Sequence, residues 1–537
     1  MQYEEMMVMN DGVRLRTIFY RPDVEAAVPA IIMRTCYPQN DEMYRKLAEK
    51  YCKQGFAFVY QYCRGTGGSE GVWEPNINER MDGSEMLNYL CEKTWIKNAG
   101  YLGCSYLALT GWVVADILPK KVKTMYLSHY GTFRHTSAYQ DGLFRHDVLT
   151  AWAMENAGFE VSADYLESCR YMPHIEVDEK LWGKKLEWYR KWITCTDRTD
   201  DYWNTGFWKM LQKIPSKVKV PICICEGWYD HHLGSAIETY KALSEECKNK
   251  SRLIIGAWDH SFSVKTEGHV SGRNFENDDN ERAYEWFYRI LVEDEIPEGR
   301  IDTYVIGDDR WYSRKKYEIE EKNEITFYFG RKVSEKNFGL FTERNKESGY
   351  VKYIYNPNYP VMTHGAESCL KTNEQQGSLL QLEAGYRADV ISFISEPLEK
   401  ELIIIGKMLV NLEVSTDAED TAFSVKIMEV MPNGKAYNMR TGVTTLGYRN
   451  GCSERTVYKP QSKVTVEINV WDLAWKIQRG SRLRIDISSS DFPQYAIHSN
   501  FPGVWSEQIE NKCAIQTIYF GGDSESYIKL PVVNRIS

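Results

Sequence analysis

Gly100-Tyr101-Leu102-Gly103-Cys104-Ser105-Tyr106-Leu107-Ala108 is the stretch from which the fold is read. A short approach ends in glycine, one small residue and a serine. A helix-compatible run, 107–118, follows at once. This is the layout of a nucleophile elbow, where a strand turns sharply into a helix and lifts one hydroxyl above the sheet. A lone G-x-S also fits an ordinary strand-to-helix turn, so the neighbouring sequence has to decide.

Upstream, short apolar runs alternate with helical ones. Asn10-Asp11-Gly12 between two β-prone runs reads as a hairpin. Ala30-Ile31-Ile32-Met33-Arg34 and Phe56-Ala57-Phe58-Val59-Tyr60-Gln61 read as buried strands, and 43–54 and 79–93 as helices. The glycine-rich loop from Arg64 to Gly71 lacks both the lysine of a P-loop and the G-x-G-x-x-G spacing, so it reads as a structural loop beside the site. Downstream, Lys123-Thr124-Met125-Tyr126-Leu127-Ser128-His129, the run 218–225 and Arg252-Leu253-Ile254-Ile255-Gly256 resume the sheet, with helices at 234–246 and 280–292. Between them, 134–215 is helical in pattern and carries Trp152, Trp182, Trp188, Trp192, Trp203 and Trp208. It reads as an inserted cap.

The alternation predicts an α/β hydrolase core, doubly wound on a mostly parallel sheet, over 1–133 and 216–297, with the helical cap at 134–215. Beyond the linker at 293–299 the pattern turns to short alternating strands such as Thr303-Tyr304-Val305-Ile306-Gly307. Residues 298–537 are therefore expected to form an all-β sandwich of the jelly-roll kind.

A doubly wound hydrolase orders its partners Ser, Asp, His, each on a loop past a strand's carboxyl end. Asp230 follows the strand ending at Cys225, and His260 follows the strand ending at Gly256. From 105 to 230 there is room for sheet elements and the cap, and from 230 to 260 for one helix and one strand. Of the 10 histidines, only His260 has this placement. His231 and His232 suit pocket lining or a helix start, and Asp259 adjoins His260 too closely to orient its ring. Ser105, Asp230 and His260 are the candidate nucleophile, acid and base.

With 537 residues, more than one core is expected. The composition, 43% hydrophobic and 26% charged, is that of a globular chain. A net charge of -9 without long like-charge runs argues against nucleic acid and anionic membrane as partners. No apolar run is long enough for a membrane span, and the acidic start lacks the apolar segment of a signal peptide. The 13 cysteines are scattered, and Cys223 and Cys225 share one face of a strand, as expected for reduced, buried thiols in the cytoplasm. No metal or other cofactor is expected, and a homodimer stays open.

Gly103-Cys104-Ser105-Tyr106-Leu107-Ala108, Gly227-Trp228-Tyr229-Asp230 and Trp258-Asp259-His260 resemble the three triad motifs of the cocaine esterase/X-Pro dipeptidyl-peptidase family of serine hydrolases. The loop 64–71, Asp200-Asp201-Tyr202-Trp203, Arg387-Ala388-Asp389-Val390 with Ser395-Glu396-Pro397-Leu398, and Ser489-Ser490-Asp491-Phe492-Pro493 extend the resemblance over nearly the whole chain. It implies an oxyanion hole made by the hydroxyl of Tyr37, in Arg34-Thr35-Cys36-Tyr37, and the backbone N–H of Tyr106. Two departures stand out: Cys36 where the family has proline, and Ala108 where it has glycine. By the same analogy Trp152, Trp228 and His232 are expected to line the substrate pocket.

The resemblance implies a serine hydrolase acting on a small-molecule ester, with an X-Pro dipeptidyl aminopeptidase or a β-lactam-type amide acylase as the alternatives for a short peptide or amide. An aminopeptidase needs carboxylates for the substrate ammonium, and Asp141, Asp147 and Glu155 are the cap's candidates. The longer peptidases of the family also carry an additional N-terminal domain, which tilts the expectation to the esterase. A non-catalytic binding protein on the same scaffold is the remote third reading.

Overall fold

The computed structural model describes residues 1–264, 266–275, 278–319, 322–367 and 376–533. Among these, ten strands form the sheet that positions the site. The hairpin β1 (Gln2–Val8) and β2 (Arg14–Tyr20) forms one edge, and β2 pairs antiparallel with β4 (Ala57–Tyr62). From there β3 (Val28–Thr35), β5 (Ile96–Cys104), β6 (Val122–Ser128), β9 (Ile222–Gly227), β10 (Arg252–Gly256) and β11 (Arg300–Val305) run parallel, in the order β4-β3-β5-β6-β9-β10-β11. The strand β12 (Arg310–Arg314) closes the far edge antiparallel, and β7 (Tyr139–Gln140) and β8 (Leu143–Phe144) form a small hairpin in the cap.

The central strands are largely apolar and buried, apart from Lys97 and Lys123 near their starts, because both faces are covered. Ile31 and Met33 of β3 point to one side, with Cys223 and Cys225 of β9, and meet α1 (Asp41–Lys53) and α13 (Asp279–Leu291). Ile32 and Ile224 point to the other side, toward α2 (Glu79–Glu92), α3 (Tyr106–Trp112) and α11 (Leu233–Ala242). The short α12 (Glu245–Lys248) follows α11. The stop of α3 at Trp112 is earlier than the helical run to 118 suggested. The chain continues instead through tight turns in which Val114 and Ala115 donate to the carbonyls of Gly111 and Trp112.

The cap holds α4 (Arg134–Ala138), α5 (Leu149–Glu155), α6 (Tyr165–Arg170), α7 (Val177–Lys180), α8 (Glu187–Thr194), α9 (Asp201–Asn204) and α10 (Gly206–Lys213). None exceeds eight residues, too short to stand without tertiary packing. Trp182, Trp192, Trp203 and Trp208 supply that packing as the cap's buried core, while Trp152 and Trp188 are only partly covered.

The second half is β-rich and mostly antiparallel, from Lys322–Lys332 to Tyr527–Val533. One expectation changes here. Of the run 303–307, expected in the sandwich, residues 303–305 belong to β11, which pairs parallel with β10 in the catalytic sheet, and only Ile306 bridges to Trp475 of the β-rich half. A strand buried under apolar residues on both faces carries the same short pattern in either context, so periodicity could not separate the two. Among the described residues, no helix is long and apolar enough to cross a membrane.

Candidate active site

Ser105 stands between β5 and α3 at φ 57° and ψ −126°, a conformation a non-glycine residue holds only when its surroundings impose it. The turn is so tight that a Cβ at Gly103 would lie 2.2 Å from the Leu107 carbonyl oxygen. Glycine is therefore required there. The turn leaves the Ser105 hydroxyl on the carboxyl rim of the sheet, facing a cavity of about 320 Å³ between sheet and cap.

His260 reaches the same rim from the turn after β10. Asp259 builds that turn by accepting the N–H groups of Ser261 and Ser263, and so is occupied locally rather than by the imidazole. Nε2 of His260 lies 2.9 Å from Ser105 Oγ, and Nδ1 lies 2.6 Å from Asp230 Oδ2. Asp230 comes from the turn between β9 and α11, and its other oxygen accepts the backbone N–H of His232 at 2.6 Å. Burial opposes the charge on Asp230, but His260, His231 and His129 outweigh it and hold the carboxyl well below its ordinary range. An ionised acid at Nδ1 fixes the tautomer that leaves Nε2 free to accept the serine proton.

Behind Asp230 lies a layer that sequence reasoning missed. His129 Nδ1 sits 2.9 Å from Glu226 Oε1 and 3.2 Å from Asp230 Oδ2, all three groups being buried. Burial and the Asp230 charge push Glu226 up to about 8, so it stays neutral where Asp230 is ionised. The signal was available: His129 and Glu226 both stand at carboxyl ends of strands, where open sheets display their functional groups.

Tyr37 leaves the end of β3, held by the restriction that Pro38 places on it and by its N–H to Thr35 Oγ1 at 3.1 Å. Its hydroxyl lines the cavity and accepts the indole N–H of Trp152 at 2.9 Å. Burial, with Cys36 adding to it, raises the Tyr37 phenol well above its ordinary value, so it remains a donor at every pH of interest. Cys36 itself is buried, filling the place of the family's proline. Tyr106 opens α3, and the first N–H groups of a helix have no partner within it. Its phenol is anchored below the cavity, donating to Glu79 Oε1 at 3.0 Å and accepting from the Asn76 N–H at 2.8 Å. Glu79 in turn pairs with the buried Arg34 at 2.6 Å, and Arg64 of the glycine-rich loop pairs with Asp82 at 2.8 Å. That loop thus braces the site. A Cβ at Gly67 would lie 2.2 Å from the Tyr62 ring, which fixes the residue type there.

Of the three expected pocket residues, Trp152 and His232 line the cavity. His232 is further held by Ser137 Oγ, 2.9 Å from its Nδ1. Trp228 does not line it. Its side chain is buried, its indole N–H donates to the Tyr304 carbonyl of β11 at 2.7 Å, and its own carbonyl accepts from Arg440 of the β-rich half. Only two residues before Asp230, it lies on the side of the turn facing the domain junction. His231, also expected as pocket lining, stacks on His260 with ring centroids 4.4 Å apart, Glu155 reaches the cavity, and the structure adds Arg134 and Trp192 to its wall.

A sequence profile of the X-Pro dipeptidyl-peptidase (S15) family matches residues 11–262, and one of the X-Pro dipeptidyl-peptidase C-terminal non-catalytic domain matches 298–529. A cocaine esterase from Rhodococcus sp. (strain MB1 Bresler) is 25% identical over 577 aligned positions, covering 99% of this chain and 98% of the relative. Among solved structures, an α-amino acid ester hydrolase superposes with a TM-score of 0.84 at 20% identity, and an aminopeptidase from a marine sediment Thaumarchaeota archaeon with 0.83 at 19%. Each alignment covers 99% of this chain and 96% of the other. A CocE/NonD family hydrolase from Staphylococcus aureus gives 0.68 at 16%, covering 99% and 93%. Together with the two profiles, which leave little of the chain outside them, these relatives place the chain in the cocaine esterase/X-Pro dipeptidyl-peptidase family of serine hydrolases.

Proposed function

We propose that the protein hydrolyses carboxylic esters through an acyl-enzyme on Ser105. The observation that carries this reading is the line Asp230–His260–Ser105, with separations of 2.6 and 2.9 Å, ending at a cavity that Tyr37 and Tyr106 also line. In this reading His260 takes the serine proton while Asp230 holds the ring, and Ser105 Oγ attacks the ester carbonyl. The oxygen that becomes negative is met by the Tyr37 O–H and the Tyr106 N–H. The indole N–H of Trp152, directed at the phenol oxygen, leaves the phenol proton for the substrate and strengthens it as a donor. His260 then protonates the leaving alkoxide, and water repeats the steps to release the acid.

A free α-ammonium, which an X-Pro aminopeptidase must hold, finds little support in the cap. Asp147 is paired with Arg145 at 2.9 Å, and Asp141 lies outside the cavity lining. Glu155 alone of the three carboxylates reaches the cavity. We take 134–215 as the cap and the β-rich half as a jelly roll, and we place the protein in the cytoplasm, since all twelve described cysteines are free thiols. The test is a panel of short-chain p-nitrophenyl esters against Gly-Pro and Ala-Pro chromogenic amides, with the wild type and Ser105→Ala. Ester turnover that vanishes in the variant is expected; faster cleavage of the amides would transfer the assignment to the peptidase.

A further inference from the structure

Among the described residues, six arginines are buried: Arg34, Arg64, Arg134, Arg145, Arg440 and Arg484. Five are paired with carboxylates, namely Arg34 with Glu79, Arg64 with Asp82, Arg145 with Asp147, Arg440 with Glu367 and Arg484 with Asp486. Arg134 is the exception. It is only 7% exposed, it forms no ion pair among the described residues, and its Nε has no hydrogen-bond partner. It is also the one of the six that lines the active-site cavity. Its guanidinium carbon lies 5.0 Å from the centre of the Trp192 ring, an aromatic contact that supplies no counter-charge and leaves Nε unpartnered.

A guanidinium withdrawn from water without a counter-charge is costly, and proteins elsewhere pair such groups, as this one does five times. Glu155 also lines the cavity but is solvent-exposed, where water screens its charge. Burial holds His231 and His232 well below the ordinary histidine value, so neither competes with Arg134 for an anion. The flat fork of donors matches a carboxylate in bidentate fashion.

We propose that Arg134 is a substrate-carboxylate site, so that the preferred esters carry an anionic group on the portion lying between Trp192 and His232. This rests on the ester-hydrolase reading and narrows its substrate class. The carboxylate could belong to the acyl part or to the alcohol part of the ester, and two matched pairs separate these sources. The first pair is the p-nitrophenyl monoester of glutaric acid against p-nitrophenyl pentanoate. The second is the butyrate ester of 4-hydroxybenzoate against that of 4-hydroxybenzamide. In one pair the wild type should favour the carboxylate by about ten- to a hundredfold in kcat/KM, the range of a hydrogen bond to a charged group. That ratio should fall to about one in Arg134→Gln and be partly kept in Arg134→Lys. Because each ratio is taken within one protein, a general loss of activity in a variant cancels. Should the variants fail to fold, inhibition of the wild type decides: glutarate should compete with a neutral ester, and glutaramide much less. Ratios near one in both pairs, a ratio unchanged in Arg134→Gln, or equal inhibition by glutarate and glutaramide would overturn the proposal and leave the ester-hydrolase reading standing. Failure to cleave any of the four esters would remove both.

Discussion

The rim of the sheet and the cap above it enclose one cavity, but they build it in opposite ways. On the rim each proposed reacting group stands one to four residues past a largely buried strand of five to nine residues: Ser105 after β5, Asp230 after β9, His260 after β10, Tyr37 after β3. Its position is set by the sheet and by a tight local turn. In the cap, Arg134, Trp152 and Trp192 come from helices of five to eight residues, placed by aromatic contacts such as Trp152 with Trp192 at 5.8 Å. The rim therefore fixes geometry for chemistry, while the cap can change side chains at the cavity without disturbing the sheet. At the catalytic end the two meet in the hydrogen bond from the Trp152 indole to the Tyr37 hydroxyl, and beside it in that between Ser137 and His232.

Substitutions at the rim should break this division most visibly. Asp230→Asn keeps the shape but supplies the wrong partner to Nδ1, and kcat for a p-nitrophenyl ester should fall about 10⁴-fold. A loss under tenfold would mean that the ring is oriented by something else. Next comes the junction. Tyr37→Phe removes one of the two proposed oxyanion donors, and kcat should drop by about 10²–10³ with KM little changed; an unchanged kcat would assign the donor elsewhere. The smallest effect belongs to the layer beneath. Glu226 is raised from 4.5 to about 8 in the fold, so the unfolded chain ionises it first as pH rises. Its neutral form thus contributes stability that is full below about pH 4.5 and is lost as pH climbs through about 8. The wild type should lose Tm relative to Glu226→Gln between about pH 5 and pH 9, and parallel Tm curves for the two proteins would contradict this.

The same division governs what could be read from the amino-acid sequence. Strand ends and a G-x-S turn are local features, so Ser105, Asp230 and His260 could be singled out from order and spacing, and the coordinates bring their side chains together. Tyr37 needed the family resemblance, because a tyrosine after a strand carries no chemical signal of its own. Trp228 went astray because residues two apart on a turn face different directions: Asp230 reaches His260, while the indole turns to the Tyr304 carbonyl. Arg134 was invisible for the converse reason. Nothing in Phe133-Arg134-His135 tells that this arginine, unlike Arg34 or Arg145, forms no ion pair among the described residues once the cap has folded. The sheet membership of β11 was equally hidden, since it depends on a partner strand rather than on its own pattern.

The most direct test of the account is covalent capture of the nucleophile. After treatment with a fluorophosphonate, the intact mass should rise by a single adduct that maps to the peptide containing Ser105, and Ser105→Ala should take up none. Labelling at another residue, or an active enzyme that the reagent leaves untouched, would contradict it.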